Sequence, residues 1–147
     1  MQIRTIPVVR TYNLQWKPDP DYDGEPGTIT IRQANTYDSE RLADETAERT
    51  MVWRDDETGK AVEERYRWNS LTRNRIQAYF TIVESNLEDE EGKPIFKSRV
   101  EDEITTLNMS QSAFDKMWGK LPGELTLEIH EYIIDMNPQW DPRRGSD

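Results

Sequence analysis

The chain has 147 residues, 33% charged and 34% hydrophobic, with a formal net charge of −10, no cysteine and one histidine. That length holds one core but not two, and five Trp, six Tyr and three Phe supply the bulk for it. The charge repels phosphate backbones and argues against a dedicated nucleic-acid binder. The missing thiol excludes disulfides, thiolate metal sites and a cysteine nucleophile, and no run approaches the roughly 20 apolar residues of a membrane span.

From the N-terminus, "IRTIPVVRTYNLQW" is rich in β-branched and aromatic residues and predicts a strand from about Val8 to Trp16, with Pro7 at its start. The acidic turn "DPDYDGEPG" follows, then "TITIRQA" (28–34) as an antiparallel partner. The segment 35–50, rich in Ala, Glu and Arg, predicts a surface helix with Asn35, Thr36 and Asp38 as N-cap candidates. A second hairpin is expected over 51–68, turning through Asp56 to Gly59.

From Asn69 the period changes. Ile76, Phe80, Val83 and Leu87 are spaced by four, three and four residues, which predicts a central core helix. The segment 99–109 fits either strand or helix. Ser112 three residues before Asp115 predicts a capping box, with Phe114, Met117, Trp118 and Leu121 as the apolar stripe of a short helix. Pro122 opens a last helix in which Leu125, Ile129, Tyr132 and Met136 share a face until Asn137-Pro138 stops it. The expected fold is α+β, N-terminal β-hairpins packed with a central helix and a C-terminal helical pair. It is one domain over 1–147, β-rich to 68, helical over 69–138, with a tail at 139–147 in which Trp140 is the anchor.

Three patterns are candidates for chemistry. Asp19, Asp21, Asp23 and Glu25 resemble the opening of a calcium loop, but Thr30 stands where the closing bidentate Glu belongs, and the prolines and the following strand are not flanking helices. The plainer reading is a solvated turn, which Asp, Pro and Gly each favour; the sharper one is a calcium- or manganese-dependent hydrolase using this loop. His130 is placed on the outer side of the last helix, with no Ser, Cys or paired carboxylate at a spacing that would make it a base. Arg65, Arg67, Arg73 and Arg75 form the basic patch, read as a solvated face. No Gly-rich phosphate loop is present, and a DNA-reading last helix is contradicted by Glu124, Glu128, Glu131 and Asp135. No catalytic residue or cofactor is therefore assigned. One feature bears on a partner: Leu127 and Ile134 lie about 180° from the main stripe at 100° per residue, making the last helix apolar on two faces, so that it is either sandwiched within its own fold or offers its second face to a partner.

The order of pieces, "TITIRQANTYDSERLADETAERTMVW", "IVESNLEDEEGKPIF" and "MSQSAFDKMWGKLPGELTLEIHEYIIDMNPQW", resembles small proteins of siphophage tail-gene clusters, of the tail assembly chaperone type. The resemblance covers about two thirds of the chain. It implies a non-enzymatic protein of the host cytoplasm that binds the tape measure or tail tube protein, with self-association admitted and neither nucleic acid nor membrane as partner. The β-rich first third departs from the all-helical members of that group, so a structural component of the virion, at the head-tail junction or in the tail or baseplate, is the alternative. On this reading Leu127, Ile134 and Trp140 are the partner-binding residues.

Overall fold

The structure, a computed structural model, describes residues 1–51 and 71–141, with the backbone alone for 47–51. Strands β1 (Val9–Asn13) and β2 (Thr28–Arg32) form the expected antiparallel hairpin, with Val9 opposite Arg32 and Asn13 opposite Thr28. β1 is shorter than its alternation suggests, because past Leu14 the chain leaves β2. The backbone N–H groups of Gln15 and Trp16 then donate to the two carboxylate oxygens of Glu128, at 2.6 and 2.8 Å. A side chain from the far end of the sequence takes the place of a strand partner.

β2 is central in the three-stranded sheet β1-β2-β3 and is buried on both faces. Ile29 and Ile31 are fully buried on one face. On the other, Thr30 pairs across the strands with Thr11 through their hydroxyls at 2.8 Å, and Arg32 makes a bidentate pair with Asp38 at 2.7 and 3.1 Å. Asp38 lies in the first turn of α1 (Thr36–Met51). The Asn35 N–H donates to its carboxylate and its own N–H donates to Asn35 Oδ1, a reciprocal cap that singles out Asn35 among the three candidates.

The second hairpin expected over 51–68 falls almost wholly outside the described residues. Helix α2 occupies residues 71–81 and ends sooner than the periodicity of Ile76, Phe80, Val83 and Leu87 predicts. Residues Ile82–Ser85 form β3, antiparallel to β2, with a bulge at Val83 between the pairs Thr30–Glu84 and Ile31–Ile82. The β-branched pair Ile82-Val83 is fully buried as strand, and Thr81 Oγ1 turns back onto the Gln77 carbonyl at 2.7 Å where the helix stops. The segment that fitted either period is a hairpin, β4 (Ser98–Glu101) and β5 (Ile104–Leu107), whose turn residues Asp102 and Glu103 both have positive φ.

Helix α3 (Gln111–Lys120) is capped by Ser110, whose Oγ accepts from the Ala113 N–H, rather than by Ser112. Asp115, the supposed partner of Ser112, faces Arg75 of α2 instead. Helix α4 (Gly123–Met136) follows at once and packs on β2 and on the 3-10 turn Pro138–Trp140. Its fully buried residues are Leu125, Ile129 and Ile133, with Tyr132 and Met136 at the margin. Phe114 links the core aromatics, with Tyr79, Phe96 and Trp118 rings 5.4 to 5.7 Å away. No helix among the described residues is long and apolar enough to cross a membrane.

Candidate functional site

The polar groups that join α4 to the sheet are saturated by one another. Beyond its two backbone N–H groups, Glu128 accepts from the Tyr132 hydroxyl at 2.6 Å. Tyr132 stacks on Tyr12 of β1 at 4.6 Å, and Tyr12 donates to Asp135 at 2.9 Å. The Glu128 carboxylate, with burial and the charges around it, pushes the Tyr132 hydroxyl up to about 12. Burial and the Asp135 contact also raise Tyr12. At the C-cap of α4 the fully buried Asn137 accepts from the Ala34 N–H at 2.7 Å and donates to the Ile133 carbonyl at 3.1 Å. These groups fix α4 in place.

A different feature is open. One face of α2 (Leu71, Thr72, Asn74, Arg75), Trp118 of α3, and Thr126, Leu127 and His130 of α4 line a cleft of about 220 Å³. Leu71 is 61% and Leu127 64% exposed, whereas Leu125 and Ile129, two residues either side of Leu127, are buried. His130 is the cleft's inner polar group: its Nε2 meets the amide oxygen of the buried Gln77 at 2.8 Å, and burial pulls its pKa down, so the ring is neutral at neutral pH. Arg75 Nε lies 3.1 Å from Asp115 Oδ1. That is an ion pair by distance, but it is out of line for a hydrogen bond, and both buried atoms lack a hydrogen-bond partner.

The residues singled out from sequence divide sharply. Leu127 is exposed in the cleft wall as expected. Ile134, on the same helical face, is half-buried against the core, because β2 and the 3-10 turn reach that end of α4. Trp140 is 5% exposed, belongs to the core and donates through Nε1 to Ser39 of α1 at 3.4 Å, so it anchors the chain end and is not open to a partner. His130 is inward and hydrogen-bonded rather than solvated.

In the acidic loop, Asp19 Oδ1 accepts from the Asp21 N–H at 2.9 Å, and Tyr22 folds over Gly24 to donate to the Glu25 carbonyl at 2.8 Å. Among the described residues no three His, Cys, Asp or Glu side chains converge as a metal site would require, and of the Asp19, Asp21, Asp23 and Glu25 carboxylates it is that of Asp19 that is bonded within the turn. Arg65 and Arg67 lie outside the described residues; Arg73 is half-buried, its guanidinium pushed down by burial, and Arg75 is paired. The cleft's contributions from Leu71, Trp118 and Thr126 were missed from sequence, since each falls on a different helix from Leu127 or outside its apolar stripe. Comparison of the chain with protein-family models, curated proteins and solved structures finds no match.

Proposed function

We propose that the protein is a non-enzymatic binding protein that docks a partner in the cleft between α2, α3 and α4. One observation carries this reading: two large aliphatic side chains, Leu71 and Leu127, stand exposed in the lining of one concavity, together with Trp118 and His130. Apolar surface gathered in a concave site is what binding sites use, whereas single exposed leucines need no explanation. The resemblance to siphophage tail assembly chaperones supplies the setting, in which the partner is the tape measure or tail tube protein. The test is co-expression of the full chain with each of those two proteins, read by size-exclusion chromatography with light scattering. A stable complex that Leu127→Asp or Leu71→Asp abolishes, with melting temperature kept within about 3 °C, is expected. A complex indifferent to both substitutions, or no complex with either protein, refutes the reading.

A further inference from the structure

The charges around the cleft say what its occupant carries. Glu124 and Glu131 are exposed and lie three residues before and four after Leu127, hence on its face of α4, about one turn to either side. Neither has an ion-pair partner among the described residues, and α4 contains no Lys or Arg. Neighbouring acids are engaged: Glu128 holds two backbone N–H groups, Asp135 accepts from Tyr12 with Arg10 at 3.7 Å, and Asp115 neutralises Arg75. Leu127, in the cleft wall, thus stands on its helix between two carboxylates that have no ion pair among the described residues.

Its size and walls narrow the occupant further. About 220 Å³ is below the roughly 300–1,000 Å³ of small-molecule sites, and suits one or two side chains. All three walls are helices, which present no free strand edge. An extended strand laid there would find no backbone partners, whereas a helix brings its own hydrogen bonds satisfied. A second copy of this chain docking cleft to cleft would set Glu124 and Glu131 against like charges.

Resting on the reading of the cleft as a docking site, we infer that it takes an amphipathic helix of a partner protein. The helix inserts an aliphatic or aromatic side chain beside Leu127 and carries Lys or Arg about one turn before and after it, opposite Glu124 and Glu131.

The probes are two designed helical peptides of about 18 residues, identical except that Lys or Glu flanks a central Leu pair. Their binding to the full-length protein is followed by fluorescence anisotropy at low salt. The Lys peptide should bind at least about tenfold tighter than the Glu peptide, and Glu124→Lys with Glu131→Lys should reverse the preference. Leu127→Asp adds negative charge, so general attraction to an acidic protein would tighten the Lys peptide. Apolar docking instead predicts about tenfold weakening. Equal affinities, tightening by Leu127→Asp, or no binding of the Lys peptide up to about 1 mM each overturn the inference. If the Lys peptide fails while a Leu127-dependent complex with the tape measure or tail tube protein persists, the docking site stands and only the basic-helix assignment falls. A homodimer dissolved by Leu127→Asp removes both.

Discussion

Replacing Asn137 by Ala tests whether the end of α4 is held by one buried amide. The side chain accepts from the Ala34 N–H at 2.7 Å and donates to the Ile133 carbonyl at 3.1 Å, while that carbonyl also accepts the Asn137 backbone N–H at 2.9 Å. Truncation therefore orphans one donor, Ala34, and leaves Ile133 with a partner. An unsatisfied buried donor costs about 1–3 kcal/mol, and the second bond is worth about 0.5–1.5 kcal/mol net. Ala34 is half-buried, which places its share near the middle of that range. The expected loss is about 3 kcal/mol, or roughly 6–12 °C in melting temperature for a chain of this size. Urea unfolding should show a lower midpoint at unchanged slope. Asn137→Asp keeps the acceptor for Ala34 but turns its second oxygen toward the Ile133 carbonyl, so its deficit should shrink on acidification, when the acid can donate. A loss below about 0.5 kcal/mol for Asn137→Ala would mean that Ala34 finds another acceptor, and that packing alone holds α4.

Tyr132 ionises at about 12 in the folded chain against 10.0 for a free tyrosine. Its contribution is fully present below pH 10 and is lost as pH rises toward 12, because the unfolded chain releases the proton first; Tyr12, also raised, acts in the same direction. The stability difference between wild type and Glu128→Gln, read by urea unfolding, should narrow over that window, and a constant difference would exclude the coupling. Asp102 and Glu103 have φ of 51° and 67° in the β4–β5 turn, so Asp102→Asn with Glu103→Gly should stabilise by about 0.5–1.5 kcal/mol, and a melting temperature that does not rise contradicts the turn geometry. Asp38→Ala leaves the buried Arg32 guanidinium without its bidentate partner and should cost about 3–5 kcal/mol, whereas replacing both by apolar residues should recover much of it. Calcium or manganese at about 1 mM should leave the melting temperature unchanged, and a rise would show that the 19–25 carboxylates do gather a cation.

What was legible in the sequence was what neighbouring residues decide. The alternation of Thr28 to Arg32 and the Asn35–Asp38 spacing each specify a strand and a cap through contacts within a few residues, and both stand in the structure. Periodicity failed where two periods overlap: Ile76, Phe80 and Val83 fit a helical stripe, yet the fully buried Ile82-Val83 pair belongs beside β2. A short apolar run buried on all sides reads alike in helix and strand. The Glu128 clamp on Gln15 and Trp16, and Trp140 reaching back to Ser39, span more than 100 positions and leave no local trace.

The same limit explains why the second apolar face of α4 was half right. Leu127 and Ile134 are seven residues apart, about 20° from eclipsed on a helical wheel, so no angular argument can separate them. Depth along the axis does. Toward the C-terminus of α4 the 3-10 turn packs on the helix and Ile134 joins the margin of the core, whereas around Leu127 residues of α2 and α3 line the cleft with it. The acids sort by face and not by depth. Glu128 and Asp135 face the β1 side and are spent on Gln15, Trp16, Tyr12 and Arg10, while Glu124 and Glu131 flank Leu127 without a partner among the described residues. The net charge of −10 is therefore not a uniform coat: part of it is structural, and beside Leu127 a part without an ion pair among the described residues coincides with exposed apolar surface, the combination that would favour a basic, amphipathic partner over an acidic or purely greasy one.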